Sequence, residues 1–216
     1  MRRVIIVLCC VSLLSCSQSA PDHRAIHVLI DRSGAYGGQF DQVAATIKWL
    51  LLQMESGDSL ALARIDNENF SALDVVAGVT FSSRPSQANA EKRAVLKILE
   101  QLAEDSGTGS YTDITGGLLH AMSWLNATGA RKKMIIVFSD FPDEPREGYL
   151  REFPVYFNGA RVVVWNPAPA EPATGVALTG SRSFSERAQF WQQRVVAGGG
   201  DWQLASDTAE IKSWFH

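Results

Sequence analysis

The chain has 216 residues, of which 46% are apolar, and its 20 basic and 23 acidic residues give a formal net charge of −3. This length and apolar content are enough for one sizeable core and fit a single domain. An acidic chain of this kind has no bulk electrostatic reason to bind nucleic acid or anionic lipid, so we expect no nucleic-acid partner.

The first segment, "MRRVIIVLCCVSLLSC", is typical of an export signal. Two arginines provide a positive start, residues 4–14 form an apolar core too short for a stable membrane anchor, and the small residue Ser15 precedes Cys16. The segment resembles a bacterial lipoprotein signal, in which Leu13 and Ser15 occupy the third and first positions before the acylated cysteine. This resemblance implies a signal peptide over residues 1–15 and lipidation, including palmitate, at Cys16.

Residues 16–23 form the lipidated cysteine and a short tether to the predicted domain. By the same resemblance, Ser17 stands where an aspartate would signal retention in the inner membrane, which implies an outer-membrane lipoprotein of the cell envelope facing the periplasm. Cys9 and Cys10 leave with the signal, so the processed chain has no thiol for a disulfide. An ordinary cleaved signal or an uncleaved anchor is the alternative interpretation.

Strand-like and helix-like segments alternate along the rest of the chain. Continuous apolar runs such as "AIHVLI" are typical of strands that are covered on both faces. The predicted strands are residues 25–30, 59–65, 73–81, 132–140, 160–166 and 202–205. The predicted helices are residues 40–54, 90–104 after a cap at Asn89, 114–127, 184–196, and a final helix capped by Asp207.

This alternation predicts an α/β fold of three layers, with a doubly wound, mostly parallel, Rossmann-like sheet between helices. Residues 73–81 follow the preceding strand through a link too short for a crossover helix, which predicts one antiparallel edge strand. We expect residues 24–216 to form this domain.

Polar side chains follow two of the buried strands directly. Asp31 and Ser33 come after the first strand, and Asp140 ends another strand of the same kind. In open α/β sheets, ligands bind beyond the carboxyl ends of the strands, near the point where the strand order reverses. If these two strands are neighbours, the sequence therefore places two carboxylates and a hydroxyl at one edge of the sheet.

Three segments in this region resemble motifs of von Willebrand factor A-type domains. "LIDRSGA" resembles the D-x-S-x-S motif, "SYTDITGGLLHA" resembles the threonine loop with its following helix, and "MIIVFSDFPDE" resembles the strand that ends in the second aspartate. They occur in the order and at the separations usual in that family, and the element order is similar over essentially the whole processed chain. The resemblance implies a protein-binding module and no enzymatic activity.

The resemblance also implies a metal-ion-dependent adhesion site. Its ligands would be Asp31, Ser33, Thr112 and Asp140, holding Mg²⁺ or another divalent cation that can accept an acidic side chain from a partner, an unidentified envelope protein. Oxygen ligands with retained waters suit Mg²⁺. The sequence departs from the motif at one position, where Ala35 replaces the second serine, and the expected site is therefore partly degenerate.

Other interpretations of these residues stay open. Asp31 and Ser33 could cap the next helix, Asp140 could be a turn residue, and Asp113 could be either an outer-shell acid or a helix N-cap. A metal-free scaffold for an envelope complex is one alternative function. A hydrolase acting through Asp31 is another, although the four histidines show no zinc-ligand spacing and no paired nucleophile.

Overall fold

A computed structural model describes residues 22–31, 39–65, 75–104, 113–139, 141, 154–165, 183–205, 207–212 and 215. These ranges contain six strands and five helices. The strands are β1 Arg24–Asp31, β2 Ser59–Ile65, β3 Val75–Thr80, β4 Lys132–Phe138, β5 Arg161–Trp165 and β6 Asp201–Ala205. The helices are α1 Phe40–Gln53, α2 Pro85–Glu104, α3 Ile114–Ala127, α4 Phe184–Ala197 and α5 Thr208–Lys212.

The strands form one sheet in the order β3-β2-β1-β4-β5-β6. All neighbours are parallel except β2 and β3, which pair antiparallel, so the predicted antiparallel edge strand is confirmed. The sheet is wound outwards in both directions from the β1–β4 pair. That pair is the topological switch point, at which a crevice opens beyond the carboxyl ends of the strands.

The alternating side chains of the strands bury two separate cores. Ile26, Val28 and Ile30 of β1 face α1, α2 and α5, whereas Ala25 and Leu29 face α3 and α4. Because β1 has helices on both sides, its apolar run is continuous. The predicted three-layer fold is thus confirmed within the described residues.

The predicted start of α2 is wrong. The helix begins at Pro85, and Asn89 lies inside its first turns. Proline fits the first turn because its fixed φ suits a helix and its missing N–H has no partner to lose. The backbone N–H of Ser82, which precedes the helix, donates a hydrogen bond to Oε2 of Glu91 at 2.9 Å. A side chain within the helix thus holds the segment that leads into it.

The final helix is capped as predicted. Asp207 Oδ1 accepts hydrogen bonds from the backbone N–H groups of Ala209 at 2.7 Å and Glu210 at 3.0 Å.

Among the described residues, none of the helices has the length and apolar character required to cross a membrane.

Candidate functional site at the end of strands β1 and β4

The site begins at the last residue of β1. Ile30 pairs with Phe138 of β4, so Asp31 and Ser139 follow side by side at the carboxyl ends of the two central strands. Both residues lie inside the protein, with exposed fractions of 2% for Asp31 and 0% for Ser139. The parallel pairing of β1 with β4 therefore brings together two polar residues that are 108 positions apart in sequence.

Asp31 is held by a short hydrogen bond. Ser139 Oγ donates to Asp31 Oδ2 at 2.5 Å, within the range of hydroxyl-to-carboxylate bonds, which are short and strong. Burial of a carboxylate is costly unless donors replace the lost water. The serine is one such donor, and it belongs to the neighbouring strand.

The chain after Ser139 is fixed by a second hydrogen bond and by packing. The backbone N–H of Phe141 donates to Ser139 Oγ at 2.9 Å. Phe141 has a φ of 57°, a left-handed conformation that is unusual for a bulky residue. Its ring is 1% exposed and lies 5.9 Å, centroid to centroid, from both Trp191 and Trp202. Aromatic packing offsets the backbone strain at this turn.

Helix α3 begins at the same edge of the sheet. Asp113 is its N-cap and accepts a hydrogen bond from the N–H of Gly116 at 2.8 Å, so the cap interpretation of Asp113 is confirmed. A Cβ at Gly117 would stand 3.5 to 3.6 Å from the side chains of Leu29 and Ile65, which shows that the first turn packs on the ends of β1 and β2.

Only one of the four predicted metal ligands can be placed. Asp31 occupies the predicted position at the carboxyl end of β1, whereas Ser33, Thr112 and Asp140 lie outside the described residues, as does Ala35. In the part of the chain that the structure describes, no three histidine, cysteine or acidic side chains group in a way that could hold a metal ion. The ligand set therefore stays a prediction.

The one predicted ligand among the described residues, Asp31, fits a hard cation, because carboxylate oxygens are ligands that Mg²⁺ prefers. The neighbouring Ser139 hydroxyl is already engaged by Asp31 and by the Phe141 N–H. Neither Ser139 nor Phe141 was predicted from the sequence to be a site residue. A signal for Ser139 was present, since it is the first polar residue after the apolar run "MIIVF". The role of Phe141 could not be predicted from its neighbours in sequence, because it depends on contacts with Trp191 of α4 and Trp202 of β6.

One histidine lies in the core of the sheet. His27 lies in the middle of β1 and is 0% exposed, and neither of its ring nitrogens has a hydrogen-bond partner. Its ring contacts Trp124 and His120 of α3 with centroid distances of 5.6 and 6.0 Å. Burial, together with the nearby His120, lowers the pKa of His27 to about 3. His27 is therefore a core histidine whose ring nitrogens are buried without hydrogen-bond partners.

No family model matches the sequence, and no curated protein matches it. Several solved structures do match this chain. A pilus adhesin, SpaC from Lactobacillus rhamnosus GG in an open conformation, is 14% identical with a TM-score of 0.55, over 90% of this chain and 29% of the adhesin. An aerotolerance-related membrane protein from Bacteroides fragilis is 13% identical with a TM-score of 0.53, over 88% of this chain and 96% of that protein.

A third similar structure is a von Willebrand factor type A protein from Catenulispora acidiphila. It is 13% identical with a TM-score of 0.51, over 90% of this chain and 41% of that protein. This chain therefore spans less than half of two of the three proteins and nearly all of the membrane protein. At such identities the likeness is one of fold. With its strand order and its single antiparallel edge, the chain has the fold of a von Willebrand factor A-type domain.

Proposed function

We propose that this chain is a lipid-anchored module of the cell envelope that binds another protein through a partly degenerate metal-ion-dependent adhesion site. The observation that carries the proposal is Asp31, a buried carboxylate at the carboxyl end of β1, beside β4 at the switch point of the sheet. A buried acid is costly to keep without a role, and the switch point is where this class of sheet binds ligands.

The residues that would hold the cation are Asp31, Ser33, Thr112 and Asp140. When bound, a divalent ion would supply an open position for a carboxylate of the partner protein. Asp31 would contribute charge, and the two hydroxyl residues would contribute neutral oxygens. The absence of a hydroxyl at Ala35 leaves one position for water and is expected to weaken binding.

Protein binding and an envelope location are supported by the similar structures. One of them is a pilus adhesin and another is a membrane protein. The proposed anchor is the lipid on Cys16, facing the periplasm from the outer membrane. The same proposal expects no enzymatic activity.

Two other functions follow from specific residues. Ala35 in place of the motif serine favours a metal-free scaffold, in which surface loops and not an ion contact the partner. An aspartate at the end of a first strand is also compatible with a hydrolase that uses Asp31 as nucleophile.

The metal site is tested by calorimetric titration of the full chain, purified in detergent, with Mg²⁺ and Mn²⁺. We expect binding that Asp31→Asn abolishes, because the amide removes the negative charge and keeps the shape. The control is Asp201→Asn, which removes an exposed carboxylate from the start of β6 at the opposite edge. We further expect Ala35→Ser to tighten binding by restoring the hydroxyl.

The alternatives predict other outcomes of the same experiment. An unchanged heat signal and melting temperature at millimolar Mg²⁺ and Mn²⁺ would reject the metal site and favour the scaffold. Turnover of a generic phosphate ester that is lost in Asp31→Asn and kept in Asp201→Asn would instead favour the hydrolase.

A further inference from the structure

We propose that Ser139 is a positioning residue for the candidate metal site, fixing the Asp31 carboxylate from the neighbouring strand. The inference rests on the proposed function, since it concerns how one ligand of that site is oriented. It assigns a role to a residue outside the adhesion-site motif, on the basis of two hydrogen bonds to one hydroxyl.

The hydroxyl of Ser139 is used in both directions. A serine has one proton to donate, and here it goes to Asp31 Oδ2 at 2.5 Å. The same oxygen accepts the backbone N–H of Phe141 at 2.9 Å. Since Ser139 is 0% exposed, solvent does not compete for the hydroxyl. The Phe141 N–H thereby orients the Ser139 hydroxyl so that its proton points to Asp31, and this hydrogen bond fixes the orientation of the Asp31 carboxylate.

Phe141 makes this arrangement rigid. A left-handed φ of 57° persists at a bulky residue only where the surroundings determine it, and here the ring is buried against Trp191 of α4 and Trp202 of β6. Such outliers cluster at functional sites. Ser139 and Phe141 are also the two neighbours in sequence of Asp140, a second predicted ligand that lies outside the described residues.

A second buried serine shows what an ordinary structural hydroxyl looks like in this fold. Ser59 is 2% exposed and its Oγ lies 2.8 Å from Thr80 Oγ1, at the opposite edge of the sheet. That bond joins two neutral groups of adjacent strands. The bond of Ser139 ends on a carboxylate at the switch point, which is the difference that indicates a positioning role.

The test compares Ser139→Ala with Ser139→Thr, which keeps the hydroxyl, and with Ser59→Ala as the matched control, all in the full chain. Groups that orient metal ligands contribute about ten- to a hundred-fold to affinity, so we expect Ser139→Ala to weaken Mg²⁺ binding by that factor. We expect Ser139→Thr to restore binding and Ser59→Ala to leave it unchanged. Ser139→Cys, which fills the space and donates weakly, should behave like Ser139→Ala.

Two readouts do not depend on bound metal. Hydrogen exchange of the Phe141 amide and the carboxyl carbon shift of Asp31, both by nuclear magnetic resonance, should change in Ser139→Ala and not in Ser59→Ala. If the wild-type chain binds no Mg²⁺, the proposed function fails, and these readouts still decide the role of Ser139. Unchanged Asp31 and Phe141 signals in Ser139→Ala, or equal changes in Ser59→Ala, would overturn the inference.

Discussion

A histidine, His27, lies in the middle of β1, one of the two central strands. His27 is fully buried and has no hydrogen-bond partner at either ring nitrogen. A buried polar group without a partner costs about 1–3 kcal/mol. The aromatic contacts with His120 and Trp124 offset part of that cost. Because burial also lowers the pKa of His27, the stability of the fold depends on pH.

We expect the free energy of unfolding to decrease as the pH falls from 6.5 towards 3. In the folded chain the pKa of His27 is lowered to about 3, whereas the unfolded chain has the ordinary value of 6.5. Between these values only the unfolded chain binds the proton, so unfolding is favoured by up to about 1.4 kcal/mol per pH unit. Urea denaturation at pH 7.5, 6 and 4.5 measures this slope.

The variant that isolates this effect is His27→Leu. It removes the buried nitrogens and should be more stable than wild type at pH 7.5 by about 1–3 kcal/mol, with a shallower loss of stability in acid. His23→Gln, which removes a histidine just outside β1, is the matched control. An identical acid slope in His27→Leu and wild type would show that other groups cause the loss.

At the scale of elements, the first turn of α3 has a low helix propensity. Gly116 and Gly117 stand in its first turn, and glycine is a poor helix former. A Cβ at Gly117 would meet Leu29 and Ile65 at ordinary contact distance, so packing against the strand ends does not itself require glycine there. The cap at Asp113 offsets the low helix propensity.

We expect Asp113→Ala to lower the free energy of unfolding by about 1 kcal/mol, the usual cost of losing an N-cap, and Asp113→Asn to change it by less than about 0.5 kcal/mol. Asparagine keeps the capping oxygen and removes the charge. Chemical denaturation measures both values. If Asp113 acts only as a cap, Asp113→Asn also keeps any Mg²⁺ affinity. A loss of Mg²⁺ affinity with unchanged stability would instead assign it to the outer shell of the site.

At the scale of the whole molecule, β1 separates the segment that carries the proposed lipid from the candidate site. The chain enters at Arg24, close in sequence to the proposed lipid at Cys16, whereas Asp31 lies at the other end. Eight residues of strand span about 26 Å. In a lipid-anchored chain, the candidate site would therefore face away from the membrane and towards a partner.

Helix α4 offers a matched pair of positions for testing this orientation. It runs back between the parallel strands β5 and β6, so exposed Ser185 lies at the edge of the sheet that holds the candidate site, and Val196, 58% exposed, lies at the opposite edge. Fluorescent labels on Ser185→Cys and Val196→Cys are compared in vesicles that carry a headgroup quencher. We expect stronger quenching at Val196, because about 16 Å of helix separates the two positions.

Equal quenching at both positions, or stronger quenching at Ser185, would contradict this orientation. The lipid itself is checked separately by the intact mass of the chain and by its loss in Cys16→Ser. A chain without lipid would reject the proposed anchor without bearing on the metal site.

Much of this fold could be predicted from local sequence. The apolar runs of β1, β2 and β4 and the helical spacing of α1 and α3 set the type of each element and its bounds to within about two residues, because each element buries its own apolar residues. The predicted strand 132–140, for example, ends at Phe138. The start of α2 could not be predicted this way. Its first turns are polar, and the hydrogen bond that the Ser82 N–H donates to Glu91 forms only once the helix exists.

The sequence by itself determined that polar residues follow the strands, and it predicted Asp31 as a site residue. Tertiary structure alone decided that β1 and β4 are neighbours, since strand order depends on which helices cover which face. It also decided that Ser139 is the donor to Asp31 and that Phe141 is held by Trp191 and Trp202. These contacts join segments distant in sequence, and each depends on the shape of all layers of the fold.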